Sequence, residues 1–313
     1  MIRHTPLPDL LLEPLVRAAL HEDLGQNGDI TTRAVIPASA RYKARLNARD
    51  SGIVSGMQIA RIAFHLVDPG LALTITRQDG DTCAPGDTLM TIEGSAAAIL
   101  SAERVALNFA GRLSGIASLT AGFVAQTKGT QTRITCTRKT TPGLRMVEKQ
   151  AVIHGGGFNH RFGLSDAILI KDNHIAAAGG IIPVLTAAKA SVSHMMKVEI
   201  EVDTLAQLEE VLQVGGADVV LLDNMSTPDL IRAVEMTRGR LVTEASGNMK
   251  LDRIAEVAAT GVNYISSGAL TPSAQTLDLG LDLKTQVAKR SGAATPDLKA
   301  FRGNPAGWFL AIP

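Results

Sequence analysis

The chain has 313 residues, 45% hydrophobic and 19% charged, and its 31 Lys and Arg against 30 Asp and Glu leave a formal net charge of +1. That length accommodates one large core or two smaller ones, while near-neutrality and 3% aromatics exclude the basic face and stacking platform of a nucleic-acid binder. The opening MIRHTPLPDLLLEPLVRAALHEDLG has Pro, Asp9 and Glu13 inside its Leu run, so it reads neither as a signal peptide nor as a membrane span.

Cys83 and Cys136 are too few for a disulfide framework and lack metal-site spacing, and a reducing cytoplasm is expected. In chain order, Leu10 to Glu22 is apolar at helical spacing. YKARLNARDSGIVSG, from Tyr42, is extended in character, and Met57 to Val67 predicts a helix. Short β segments joined by PG and PGD turns follow, as in LALTITRQDGDTCAPGDTLMTIEG, where antiparallel pairing is the natural arrangement. Ser95 to Thr127 then repeats apolar residues at helical spacing, which predicts a long helix linking this part of the chain to the next.

From residue 132 the pattern becomes rhythmic. Strand-like runs fall at Arg133 to Thr137, Ala167 to Ile170, Met196 to Val202, Ala217 to Leu222, Arg240 to Glu244 and Val262 to Ser266, with helical stretches such as TLAQLEEVLQVG and LDRIAEVAATG between them. Successive strand ends lie roughly 22 to 32 residues apart, the length of a β-loop-α unit. Six units predict a parallel α/β barrel, TIM-like and incomplete, beside an N-terminal α+β sandwich domain. An open doubly wound sheet competes, but it does not account for the polar residues that end nearly every strand: Arg138-Lys139, Lys171-Asp172-Asn173, Glu201, Asp223-Asn224, Glu244-Ala245-Ser246-Gly247 and Ser267-Gly268. In barrels such ends converge on the active site. The expected boundaries are 1–113 for the N-terminal domain, with part of 275–290 as a possible addition, 114–274 for the barrel and 283–313 for a tail.

Charge concentrates in the barrel's first units. From Arg133 to His174 there are seven Lys and Arg against three Asp and Glu, so an anion is expected there. In MKVEIEVDT, Lys197, Glu199, Glu201 and Asp203 share one face by the two-residue strand period. The apolar face must meet the helices, so this charged face is expected to point at the barrel axis. Buried carboxylates need partners, and Lys139, Lys171 and Lys197 are the candidates. Glu199 fits either a structural Lys–Glu ladder or a functional role, whereas Glu201, nearer the carboxyl end, is read as functional. Gly155-Gly156-Gly157 reads as a phosphate cradle or, preferably, as close backbone approach beside His160.

The strings TRKTTPGLR, GGGFNHRFGLSDAILIKDNHI, VEIEVDTLAQLEE, VVLLDNM, EASG and ISSGALT occur in one order, with HEDLGQNGDITT near the start and ERVALNF before the barrel. From about Leu10 to about Asp282 the chain resembles the quinolinate phosphoribosyltransferases, also called nicotinate-nucleotide pyrophosphorylases (carboxylating), of the type II phosphoribosyltransferases. The resemblance implies that quinolinate and 5-phosphoribosyl 1-pyrophosphate give nicotinate mononucleotide, pyrophosphate and CO2, with Mg²⁺, in de novo NAD biosynthesis. It places Arg138, His160 and Arg161, with Lys139 and Lys171, around the quinolinate carboxylates, where guanidinium forks suit planar carboxylates. Lys139, Lys171, Glu201 and Asp223 are the expected catalytic residues, and Glu201 and Asp223 the expected Mg²⁺ ligands. Ser246, Gly247, Ser267 and Gly268, on the last two β-to-α loops, are expected to bind phosphate. The resemblance further implies a homodimer in which Arg104, on the linking helix, enters the neighbouring active site, with assembly beyond the dimer left open. Neither nucleic acid nor membrane is an expected partner.

Three positions depart from the family pattern. GALTPS has Pro272 where the family commonly has His, and proline offers neither a side-chain donor nor an N–H; losing such a bond costs about 1.5 to 3 kcal/mol. Cys136 stands where many members carry Asp, and is read as packing rather than as a catalytic thiol; Asn248 stands where many carry Gly. The tail combines a linker-like SGAATP with an apolar GWFLAIP end. Two other functions are weighed: an aldolase with a Schiff base on Lys171 or Lys139, and a catalytically weakened relative that binds an anionic ligand.

Overall fold

The computed structural model describes residues 5–285. The linker and apolar-end expectations concern residues 286–313 and lie outside the described residues. The N-terminal part contains helices α1 (Asp9–Leu24), α2 (Ile30–Val35) and α3 (Met57–Val67), and strands β1 (Arg41–Ala48), β2 (Gly52–Ile53), β3 (Ala72–Ile75), β4 (Thr82–Cys83) and β5 (Thr88–Ser95). Leu12, Val16 and Leu20 form the buried stripe of α1 at four-residue spacing. The short α2 begins where Asp29 Oδ1 accepts the Thr32 N–H at 2.9 Å, a side-chain cap. Helix α3 starts where Asp79 Oδ1 accepts the Met57 N–H at 2.9 Å.

Helix α4 (Ala96–Gln126) runs from this part into the second, with Ser95 Oγ accepting the Ala98 N–H at 3.3 Å. There follow β6 (Arg133–Thr135), α5 (Arg145–His154), β7 (Ile168–Ile170), α6 (Asp172–Ala178), α7 (Ile181–Ser191), β8 (Val198–Val202), α8 (Leu205–Val214), β9 (Val219–Asp223), α9 (Thr227–Thr237), β10 (Val242–Ser246), α10 (Ile254–Ala259) and β11 (Tyr264–Ser266). The last described element, β12 (Leu279–Thr285), leaves the second part and returns to the first.

One sheet is antiparallel, ordered β12-β1-β5-β3, and β2 pairs with β4 in a small ribbon. The other large sheet is parallel, ordered β6-β11-β10-β9-β8-β7. The first strand in sequence therefore lies beside the last, which curls the sheet into a barrel open between β6 and β7. A single parallel bridge, Thr135 to Phe158, begins to fill the opening from the β6 side. This is the incomplete α/β barrel with a separate α+β part. Its outer face is apolar: Ile200, Val202, Val220 and Leu222 are buried, each contributing on the order of 1.5–3 kcal/mol. Among the described residues no helix is long and apolar enough to cross a membrane.

Several strands begin about two residues later than the apolar runs do. Val262, for example, is buried, but its carbonyl accepts the Thr132 hydroxyl at 2.7 Å, so it belongs to the barrel's lower loops. Likewise Asp218 accepts both the Val198 N–H at 2.9 Å and the Lys197 ammonium at 2.6 Å. Apolarity reports burial, and burial extends beyond the ladder.

Candidate active site

The carboxyl ends of the parallel strands surround a cavity of about 560 Å³. Thr137, Arg138 and Lys139 reach it from the loop after β6, Lys171 from the end of β7, and Glu201 from β8. Asp223 and Asn224 come from β9, Ser246, Gly247 and Asn248 from β10, and Ser266 and Gly268 from β11. His160 and Arg161 also line it, from the segment that crosses the barrel opening. There Arg161 Nη1 donates to the Ala167 carbonyl at 3.0 Å, fastening the two sides of the gap. The Nε atoms of Arg138 and Arg161 are buried without a protein acceptor, and burial together with the neighbouring Arg138 holds Arg161 below the usual guanidinium range. Such a pair favours an anion between or beside its forks.

At the floor, His160 Nε2 lies 2.9 Å from Glu199 Oε2 and 3.7 Å from Glu244 Oε1. Burial alone would lower the imidazole's pKa, but the two carboxylates outweigh it and raise it. Burial, with Glu199 adding to it, pushes Glu244 up to about 7. Nearer the mouth, Lys171 Nζ pairs with Glu201 Oε2, and Asn224 Nδ2 donates to Asp223 Oδ2 at 2.6 Å. Glu201 and Asp223 thus stand on adjacent strand ends, each using one oxygen, and leave a second apiece. Two carboxylates beside a cavity are the donor set that Mg²⁺ takes from a protein when substrate oxygens and water complete its shell.

On the opposite strands the backbone turns tightly beside the cavity. Gly247 has φ of 89° and Asn248 of 49°, so consecutive left-handed residues turn N–H groups toward one side. A Cβ on Gly247 would sit 2.2 Å from Asn224 Oδ1, which admits only glycine. Asn248 adopts the left-handed region that asparagine tolerates best after glycine, so its departure from the family pattern keeps the turn.

Buried polar contacts hold this constellation from behind. Glu148 is fully buried and pairs with Arg112 of α4 at 2.9 Å. Arg112 Nη2 also donates to the Thr271 carbonyl at 2.6 Å, and Thr271 Oγ1 donates to the Lys139 carbonyl at 2.6 Å. Lys149, 3% exposed, donates to Cys136 Sγ and to the His160 carbonyl, both at 3.0 Å. Cys136 is a buried contact of this kind, with Asn159 Oδ1 at 3.2 Å.

The cavity therefore gathers Arg138, Lys139, His160, Arg161, Lys171, Glu201, Asp223, Ser246, Gly247 and Gly268, but not every expected residue. Ser267 is a correction: its hydroxyl donates to the Met249 carbonyl at 3.0 Å, turned away by strand alternation, while Ser266 faces the cavity in its place. Lys197 is another: it lies at the amino end of β8, pairs with Asp218 at 2.6 Å and is 71% exposed, so it partners no axial carboxylate. Of the charged face expected in MKVEIEVDT, Asp203 is also exposed, and Glu199 finds His160 rather than a lysine. The glycine run packs on α4 instead of cradling phosphate, since a Cβ at Gly155 would lie 2.3 Å from the Ala117 carbonyl. Arg104 is exposed on α4 and does not line this chain's cavity. Pro272 is exposed and does not line it either. The sequence placed Glu244 among the polar strand ends that converge on the site but gave it no role, and it passed over Ser266, whose signal was its register within β11.

Fold and site together define a barrel enzyme acting on polyanions at the strand carboxyl ends. Residues 29–114 match the description "Quinolinate phosphoribosyl transferase, N-terminal domain" and residues 116–282 its C-terminal domain. The "Probable nicotinate-nucleotide pyrophosphorylase [carboxylating]" of Bacillus subtilis (strain 168) is 42% identical over 275 residues, 88% of this chain and 94% of the relative. The "Quinolinate phosphoribosyltransferase [decarboxylating] 1b" of Nicotiana tabacum is 41% identical over 305 residues, covering 92% of this chain and 87% of that one. The solved nicotinate-nucleotide pyrophosphorylase from Francisella tularensis superposes with a TM-score of 0.86 at 37% identity, over 91% of this chain and 100% of the other. The chain belongs to the quinolinate phosphoribosyl transferase family.

Proposed function

We propose that the chain joins the pyridine nitrogen of quinolinate to the anomeric carbon of 5-phosphoribosyl 1-pyrophosphate, releasing pyrophosphate and CO2 and leaving nicotinate mononucleotide. The observation that carries this reading is the single cavity in which five cationic side chains stand with the Glu201 and Asp223 carboxylates. Arg138 and Arg161 hold the two quinolinate carboxylates, with His160 beside them on the cavity floor, and Lys139 and Lys171 add positive charge where the second polyanion enters. Ser246, Gly247 and Gly268 receive the ribose phosphate through hydroxyl and backbone N–H groups. As pyrophosphate leaves, positive charge grows on the ribose ring, and Glu201 and Asp223 stabilise it from fixed positions. The same two carboxylates would hold Mg²⁺, which when bound offsets the charge of the pyrophosphate oxygens. Once alkylated, the ring nitrogen is cationic and accepts the electron pair left by CO2, so the decarboxylation needs no further cofactor.

The enzyme works as a homodimer in the cytoplasm, and its exposed Arg104 completes the neighbouring site. An assay with quinolinate, phosphoribosyl pyrophosphate and Mg²⁺, with nicotinic acid as comparison, tests the reading. Turnover of quinolinate alone is expected; no turnover, with quinolinate still bound, would favour a weakened relative.

A further inference from the structure

When CO2 leaves the pyridine ring, C2 keeps the electron pair and must gain a proton. We propose that Glu244, at the floor of the cavity, is the acid that delivers this proton, held in place by His160 and Glu199; the inference rests on the functional reading above.

Glu244 lines the cavity yet is only 5% exposed, and its Oε1 has no hydrogen-bond partner. Ser266 Oγ beside it, 3% exposed, is also unpartnered. His160 Nδ1 accepts the Arg161 N–H at 2.8 Å, so its own N–H sits on Nε2, where Glu199 Oε2 at 2.9 Å is nearer than Glu244 Oε1 at 3.7 Å. One imidazole N–H thus serves one carboxylate. A second buried carboxylate with only the Ser266 hydroxyl to serve it is costly, and taking up a proton removes that cost at a side chain that lines the cavity.

The other groups are poorly suited to the task. Arginines do not release protons at neutral pH, Lys171 is tied to Glu201, and Lys139 is exposed. The groups that face Glu244 are Glu199 from β8, His160 from the segment spanning the opening, and the Ser266 hydroxyl from β11; β9 presents Leu221, and Arg138 and Arg161 line the same cavity. Burial, then Glu199, pushes Glu244 up to about 7, a range in which a carboxyl group serves as a general acid at neutral pH.

In the step itself the bond from C2 to its carboxylate breaks and CO2 departs. The pair remains on C2 beside the cationic nitrogen. The Glu244 O–H bond then breaks, its proton forms the new C2–H bond, and the carboxylate left behind is reprotonated from solvent.

The experiment compares wild type with Glu244→Gln and Glu244→Asp, following CO2 and nicotinate mononucleotide across pH 5 to 9, with quinolinate binding measured by calorimetry. The wild-type kcat is expected to fall as pH rises through the titration of Glu244. Glu244→Gln should keep quinolinate affinity within a few-fold, lose about 100-fold or more in kcat, and lose that pH dependence. Glu244→Asp should regain the pH dependence and part of the rate. A Gln variant with wild-type kcat and pH profile would overturn this inference alone, as would one that fails to bind quinolinate, which would make Glu244 a structural support. A wild-type enzyme that does not turn over quinolinate would overturn the functional reading and this inference with it.

Discussion

Arg138 and Arg161 each keep a buried Nε without a protein acceptor, a cost that a bound carboxylate removes. Arg138→Ala should therefore weaken quinolinate binding by a charge-assisted bond or more, about 1.5–3 kcal/mol or at least tenfold, with melting temperature nearly unchanged; calorimetry and a thermal scan check both halves. Glu244 has a stability signature separate from its role in the reaction. Its pKa is raised from 4.5 to about 7, so its favourable protonated state is fully present below about 4.5 and lost as pH rises through about 7. Glu244→Gln should match wild type in stability near pH 4.5 and exceed it at pH 8 by about 3 kcal/mol, read by denaturant unfolding at the two pH values. The sequence grouped that side chain with the polar strand ends but gave it no role, because it sits inside β10, where the facing direction depends on register. Lys171, Glu201 and Asp223 were legible because each ends a strand, and strand ends converge whatever the register.

At the scale of elements, α4 was legible nearly to its ends: Ser95 to Thr127 predicts it and Ala96–Gln126 forms it. Its length makes its apolar periodicity unmistakable. What the sequence did not reveal is that α4 supports the site through one partly buried ion pair. Arg112 on α4 and Glu148 on α5 also gather Thr141, Thr271 and Ala274, so two loops that shape the cavity hang on that pair. Removing one partner strands the other, and Glu148→Ala should cost about 3 kcal/mol, seen as a lower denaturation midpoint. It should also raise the KM for phosphoribosyl pyrophosphate, because Thr271 holds the Lys139 carbonyl. Such a pair is invisible beforehand, since Arg112 and Glu148 are 36 positions apart and each looks like an ordinary helix-surface charge. The sequence predicted an incomplete barrel but not that it opens between β6 and β7, where Thr135 and Phe158 make one bridge, too little to leave a sequence pattern.

For the whole molecule, the proposed dimer makes Arg104 a donor to a site other than its own. Arg104→Ala and Glu201→Ala should each be inactive alone. Mixed under exchange, they should recover part of the wild-type rate, since one site in each mixed dimer has both residues intact; no recovery would mean that sites are not shared. The broad architecture was legible from the change in rhythm near residue 132. The return of β12 to the first sheet was legible as the expected addition of part of 275–290 to the N-terminal domain; its register was not, because seven residues of strand do not say which neighbour receives them. Its antiparallel pairing with β1 runs from Tyr42 with Thr285 to Ala48 with Leu279, and Asn47 donates to Asp282 across 235 positions at 2.6 Å. On a ribosome this imposes an order of events. The amino-terminal sheet emerges early but lacks its outer strand until the barrel has been synthesised, so β1 keeps an unpaired edge for most of translation. The barrel's completion thus gates the first domain's own, and fragments ending before β12 should expose that edge to aggregation while full-length chains do not.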